Sequence, residues 1–429
     1  MGLFSAMTTA ISGLNAQSYA LENISGNIAN SQTLGFKRND TNFTDLVPDF
    51  GGPRQVSGSV AADKKQTISL AGDFQASSFG TDIALQGSGY FVVRKKQMTQ
   101  NGTLAFGTDL YTRRGDFRQD KNNYLVNGAG YYLSGYKLDA QGGRNGTLGP
   151  IRIPTGLIEA SATTSVVYQG NLPVNPTSGT KTAVPAGPVS LADATAETAF
   201  LSQTISGGSL NLYNTQGNSQ TLQLRWGKTG ANQWDAYYLS NSAAVLPATK
   251  WTSLGNFASF DTSGKLTTTT PVTIAPTING VAFTGVSFDL TGTTQFGDTG
   301  GAFTATKLTQ NGYTAGTAIG LTINDSGRIF QSYTNGKFIP IADIEVANFN
   351  GDDALNRIDG GTFEQTDGSG EPLLGLGSAN VRSSGVEASN VDIAQEFTKL
   401  ITTQQAYSAN TKVITTAQDL LAATINIIR

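Results

Sequence analysis

The apolar positions of this chain fall into three regimes. From Val391 to Arg429, Ile393, Leu400, Tyr407, Ile414, Leu421 and Ile428 recur every seven residues, and Phe397 and Ile425 widen the stripe. That period places them on one face of an α-helix. No Gly or Pro interrupts the run, so the pattern predicts a helix of roughly 57 Å. Its remaining faces are Gln, Thr, Ser and Asn with few charges, a surface suited to packing with other helices on several sides. At the opposite end Met7, Leu14, Leu21 and Ile28 also recur at seven, with Phe4, Ile11 and Ile24 filling the same face. Heptads at both ends of one chain predict that the ends pair as a coiled coil; an ordinary amphipathic core helix at each end is the alternative. Gly13, Gly26 and β-branched residues such as Thr402, Thr403, Thr415 and Thr416 lower the intrinsic propensity of both segments, so their order depends on partners.

Between the ends the period falls from seven toward two. Residues 36–71 alternate basic and acidic side chains without clear periodicity and read as an extended arm. Tyr90 to Val93, Tyr111 to Phe117, Tyr124 to Val126 and Tyr131 to Tyr136 then read as strands. Seven Asn-Gly pairs, starting at Asn101, Asn127, Asn145, Asn279, Asn311, Asn335 and Asn350, add hairpin signals. Composition shifts near residue 160 toward Pro, Ala, Thr and Ser. All three Trp (226, 234 and 251) follow within a region that reads as an inserted β-domain with its own aromatic core. After Gly312 the first β style returns, and the Gly- and Ser-rich stretch 361–390 leads to the last helix.

The predicted fold is therefore multidomain and mainly β, with nested discontinuous domains and a helical coiled-coil pair at the termini. Residues 1–30 and 391–429 form the helices, 31–71 and 361–390 the linker arms, 72–158 and 304–360 an inner β-domain, and 159–303 the inserted outer one.

Composition narrows the chemistry. The 429 residues carry a net charge of −3, with only 14% charged, so nothing marks a nucleic-acid binder. No apolar run approaches the ~20 residues that span a bilayer, and MGLFSAMTTAISGL lacks the n-region and cleavage site of a secretory signal. The absence of Cys and His removes disulfides, thiolates and the commonest general base and metal ligand. Gly87-Ser88-Gly89 precedes a strand, the wrong context for a phosphate loop. Asn348, Asn350, Asp352 and Asp359 have calcium-loop spacing, but Asp353 stands where that loop needs Gly and no Glu closes it. We expect no enzyme, cofactor or metal site. Residues 94–121 hold seven basic and three acidic residues, whereas 343–371 hold eight carboxylates against Arg357. This contrast predicts oppositely charged faces through which stacked copies attract.

Asn23 to Arg38, including Asn27, Asn30, Thr33, Gly35, Phe36 and Lys37, resembles the N-terminal signature of the bacterial flagellar rod and hook axial proteins. The TDIALQGSGYFVV stretch at 81–93 is similar to that family's next block, and Val386 to Asp392, with Ser389, Asn390, Val391 and Asp392, to its C-terminal block. The insertion, the NGYTAG segment at 311–316 and the length are similar to the hook branch rather than the shorter distal rod branch. Two residues depart from the pattern: Gln405 stands where the family usually has Arg, and Gln418 where Asp is common.

The resemblance implies a tubular homopolymer that joins rod to filament and transmits torque as a universal joint. It implies terminal helices lining a channel, with their apolar residues packing between subunits. The location it implies is the hook, reached by type III export. Partners so implied are further copies of the chain, the distal rod protein, the hook cap scaffolding protein, the hook-filament junction protein and the flagellar type III export apparatus, without nucleic acid or membrane insertion. At this stage a rod or hook-associated junction protein of the same family stays open, as does a β-rich adhesin or tail-fibre-like binding protein.

Overall fold

The structure is a computed structural model that describes residues 3–46, 59–98, 104–139, 142–178, 180, 187–189, 191–297 and 300–428. The side chains of Leu3, Met98, Leu104 and residues 426–428 are outside this description, so the expectation for Ile428 falls outside it. So do the Asn101-Gly102 pair and residues 47–58 of the first arm. The chain divides into two compact units. One comprises 1–155, 319–332 and 338–429; the other comprises 156–318 and 333–337.

The first unit is built on two terminal helices, α1 (Leu3–Ala29) and α3 (Ile393–Ile428). Residues 36–71, expected as an irregular arm, instead contain an antiparallel ribbon of β1 (Asn39–Leu46) and β2 (Ser59–Gln66), in register from Asn39 opposite Gln66 to Leu46 opposite Ser59. The ribbon lies along α1: Asn23 Nδ2 donates to Thr41 Oγ1 at 2.9 Å, and Val60 N donates to Ser12 Oγ at 3.2 Å. Its strands are recognisable only by pairing, because their side chains are mostly polar and neither face is fully buried.

The main sheet of this unit runs antiparallel through Arg328–Tyr333, Phe338–Ile344, Tyr131–Lys137, Tyr90–Met98, Leu104–Thr112, Thr362–Glu364 and Asn356–Ile358. Tyr90 and Val92 point into one apolar cluster with Tyr111, Phe349 and Phe363; Phe91 and Val93 point into another with Phe117, Leu133 and Ile329. Both faces are covered, which is why this strand is a continuous apolar run rather than an alternation. The 361–390 stretch also differs from a free arm. Gly385–Glu387 pairs with Phe74–Ala76, and Asn380–Ser383 pairs with Ile83–Gln86. Short strands rich in Gly and Ser carry no apolar period, so composition alone resembles a linker.

The second unit packs two sheets. Ser165–Pro173 is the centre of one, flanked by Val286–Asp289, Thr294–Phe296 and Thr304–Gln310. The other orders Gly187–Val189, Trp251–Ser259, Gln233–Leu239, Ser219–Gly230 and Ile205–Tyr213. Trp226 and Trp234 lie fully buried with Tyr168, Leu212 and Phe288, and Trp226 Nε1 donates to Tyr168 Oη at 2.8 Å. A short helix, α2 (Ala194–Ser202), is capped by Asp193 accepting from Ala196 N, and places Phe200 against Tyr237 and Trp251. The unit extends past the expected residue 303 because Thr304–Gln310 pairs antiparallel with Ser165–Pro173; that strand is largely exposed and Thr-rich, with no apolar pattern to assign it. Of the described Asn-Gly pairs only Asn279-Gly280 has positive φ at both positions, at 50° and 82°, and turns the hairpin between Thr277–Ile278 and Val281–Ala282. The other Asn-Gly pairs in the description are not type I′ turns.

The second unit has its own core, so excision should leave the first intact. Replacing residues 156–318 with a short Gly-Ser linker is expected to yield a soluble protein with β-type circular dichroism and no Trp emission. Insoluble or unfolded product would show that the first unit depends on the insertion.

Candidate assembly surface and the clasp at its base

The helices pair through small residues. On α1 the buried positions are Ala10, Gly13, Ala16, Ala20, Ile24 and Asn27. A Cβ placed on Gly13 would lie 2.9 Å from Asn410 Nδ2 of α3, so the Asn410 side chain packs directly over Gly13. On α3 the buried positions are Glu396 and Ala417, with Thr403, Ala406 and Asn410 half-buried between them. Asn27 meets Glu396 and Gly13 meets Asn410, so the helices run antiparallel.

The heptad stripes therefore flank this seam instead of forming it, apart from Ile24. The small residues of α1 leave room for side chains of α3, as Gly13 does for Asn410. Met7, Leu14, Leu21, Ile28, Leu400, Ile414 and Leu421 are half-buried. Phe4, Ile11, Ile393, Phe397, Tyr407 and Ile425 are exposed, Phe4 by 72%, Phe397 by 51% and Ile425 by 64%. Ile401, Val413 and Leu420 extend the exposed apolar surface of α3. Isolated surface apolar residues are ordinary; a row of them along two paired helices marks an interaction face.

At the base of the helices the signature residues form an intrachain clasp around Glu387. Lys37 Nζ, fully buried, donates to Glu387 Oε1 and to Leu70 O. Arg113 Nη1 donates to Glu387 Oε2 at 3.3 Å, and Gly72 N to Oε1 at 2.8 Å. The Glu387 carbonyl accepts from Gly35 N at 2.8 Å. One residue thus ties together the exit from α1, the end of the ribbon, the main sheet and the approach to α3. Burial lowers the Lys37 pKa; Glu387 opposes that shift, while Arg113 and Arg357 add to it.

The other signature residues shape the backbone around this point. Gly35 has φ of 66°, and a Cβ there would lie 2.8 Å from Arg114 N, so both conformation and space require glycine. Phe36 lies under the Arg357 guanidinium at 4.8 Å, and Arg357 also donates to Lys37 O. Asn390 Oδ1 accepts from Arg38 N at 2.7 Å, and its Nδ2 donates to Leu70 O at 3.2 Å. Asn30 Nδ2 donates to Gly26 O and Thr33 Oγ1 to Asn30 Oδ1, closing the turn after α1. Ser389 Oγ accepts from Val391 N, and Asp392 Oδ1 accepts from Ala394 N at 2.9 Å, capping α3.

Asn27 anchors a second polar group. Its Nδ2 donates to Asn39 O at 2.9 Å and Glu396 Oε2 at 3.0 Å, and its Oδ1 accepts from Asn39 N at 2.9 Å. Lys399 Nζ bridges Glu396 Oε1 and Asp40 Oδ1, each at 2.8 Å. Desolvation pulls the Lys399 pKa down, but hydrogen bonds to Asp40 and Glu396 outweigh it and leave the pKa raised.

Several arginines of the basic segment find partners inside the first unit, as does Asp343 of the acidic one. Arg94 pairs with Asp109 at 2.6 Å, Arg114 with Asp116 at 2.8 Å, Arg118 with Asp82, and Asp343 with both Arg328 and Arg144. Sequence segments show net charge but not pairing, so the basic segment carries less unpaired charge than its composition suggests. Sequence reasoning also missed Arg113, Glu387, Glu396 and Lys399 as site residues. The available signal was a carboxylate set among small and apolar residues, as in Gly385-Val386-Glu387-Ala388.

Paired terminal helices with uncovered apolar faces, locked to a β-rich body by residues from both chain ends, fit the architecture that the resemblance to flagellar axial proteins implies. Four family models match: "Flagella basal body rod protein" at residues 7–37, "Flagellar hook protein FlgE/F/G D1 domain" at 84–172, "Flagellar basal body protein FlaE D2 domain" at 177–313, and "Flagellar basal body rod FlgEFG protein C-terminal" at 382–427. The chain is 31% identical to the flagellar hook protein FlgE of Rhizobium meliloti and 32% identical to that of Brucella abortus, covering all of both chains in each case. It is 31% identical to the Salmonella typhimurium flagellar hook protein FlgE over 98% of this chain and all of that one. The chain belongs to the flagellar hook protein FlgE family.

Proposed function

We propose that this protein is the structural subunit of a tubular flagellar hook, polymerising through the uncovered apolar faces of α1 and α3. The observation that carries this reading is the row of exposed large apolar residues on two helices whose mutual contact is already complete. Further copies of the same helices supply the complementary surface, and the weakly charged remainder of α3 favours packing on more than one side. Phe4, Met7, Ile11, Leu14, Leu21, Ile28, Ile393, Phe397, Leu400, Tyr407, Ile414, Leu421, Ile425 and Ile428 are the contact residues of this helical core, with the β-domains outward; Ile24, expected among them, is buried within the chain.

The role is mechanical rather than catalytic: a flexible tube that joins rod to filament and transmits torque. In this reading the tube contacts the distal rod protein at one end and the hook-filament junction protein at the other. Growth proceeds under the hook cap scaffolding protein, with subunits delivered by type III export. The four proposed segments (paired helices, arms, inner and outer β-domains) would then occupy successive radii. Concentration-dependent pelleting of purified full chain, alone and with each candidate end partner, tests this reading. Self-assembly is expected without a cofactor, and a chain that stays monomeric at high concentration would oppose it.

A further inference from the structure

Away from Gly13, over which Asn410 packs, the seam between α1 and α3 does little to fix how far one helix slides along the other. Ala10, Gly13, Ala16 and Ala20 follow one another at intervals of three or four on α1, so a one-turn slip replaces a small residue with a small residue. The flanking apolar residues Phe4, Met7, Ile11 and Leu14 on α1, and Ile393, Phe397 and Leu400 on α3, alternate in the same intervals. A slip of one turn, about 5.4 Å, therefore keeps the apolar pattern on both helices.

The polar group at the base does not repeat. Glu396 is fully buried and Asn27 nearly so, and each polar atom of the Asn27 amide and the Glu396 carboxylate is engaged. Lys399 carries the connection to Asp40 on β1, and β1 is itself held by α1 through Asn23 and Thr41. A one-turn slip would carry Glu396 away from Asn27 and leave a buried carboxylate short of donors, a cost that the apolar seam does not offset.

We propose that the Asn27–Glu396–Lys399–Asp40 network is a register pin, setting the axial position of α3 against α1 where the small-residue seam alone would allow one-turn slips. Single buried polar positions set register in the same way in coiled coils. Gly13 and Asn410 meet far along the seam from the pin and mark the same register.

The chain has no Cys, so paired cysteines report register without background. Gly13→Cys with Asn410→Cys reports the native register; Gly13→Cys with Ala406→Cys or Ile414→Cys reports slips of one turn in either direction. In the full soluble chain, equilibrated in a thiol redox buffer, the native cross-link is expected to exceed either shifted one about tenfold. Adding Glu396→Leu should bring a shifted pair to within about twofold of the native pair, and Glu396→Gln, which retains an acceptor for Asn27, should have a smaller effect. An unchanged ratio in the Glu396→Leu background would overturn the proposal. So would loss of native and shifted cross-links together, because the helices would then have separated rather than slid.

Discussion

Replacing Phe397 and Ile401 together with Ser is expected to abolish tube formation at concentrations where the parent chain polymerises, while leaving the soluble protein folded. Both side chains are more than half exposed in the isolated chain, so their loss removes little internal packing. Fully burying an apolar side chain of this size contributes about 1.5–3 kcal/mol; with about half of each left to cover, losing two raises the critical concentration by roughly 10–10²-fold at 1.4 kcal/mol per decade. Sedimentation across a concentration series reads this directly, with circular dichroism as the control. An unchanged critical concentration would place the polymer contacts elsewhere.

Glu387→Gln should be the most destabilising single change in the first unit. It leaves Lys37 and Arg113 buried without their shared carboxylate, and breaking a buried pair from one side costs about 3–5 kcal/mol. Lys37→Met should cost less, because Glu387 keeps Arg113 and Gly72 N. All three Trp lie in the second unit, so the Trp transition in a denaturant melt provides an internal control. The circular dichroism transition of the first unit should move to lower denaturant while Trp emission stays in place. Equal movement of both, or of neither, would contradict the role given to the clasp. The lowered Lys37 pKa adds a pH signature. Between its folded value and the ordinary lysine value the unfolded chain binds more protons, so this group makes stability rise with pH, and Lys37→Met should flatten that rise.

The terminal helices were legible because a seven-residue period over many turns has few other causes. Their pairing was legible too, but the residues at the seam were not. Pattern reading weights large apolar residues, whereas most of the buried positions on α1 are small: Ala10, Gly13, Ala16 and Ala20. The Trp-bearing insertion announced itself by composition; its end did not, because Thr304–Gln310 is an exposed strand defined by pairing alone. The ribbon at Asn39–Leu46 and Ser59–Gln66 was hidden for the same reason. The signature supplied Lys37 and Asn390, but Lys37 meets Glu387 from 350 residues away in the chain, a separation that local pattern cannot bridge. Local charge pairing was not legible either, since Arg94, Arg114 and Arg118 each find an acidic partner within the same unit.

Electron cryo-microscopy of the purified full-length chain under assembly conditions tests the central claim most directly. The account predicts helical tubes of this protein alone, with α1 and α3 of neighbouring copies packed in the innermost layer and Phe397, Ile401 and Ile425 covered at contacts between copies. Tubes in which those residues remain open to solvent, or a protein that forms no polymer at any concentration, would contradict it.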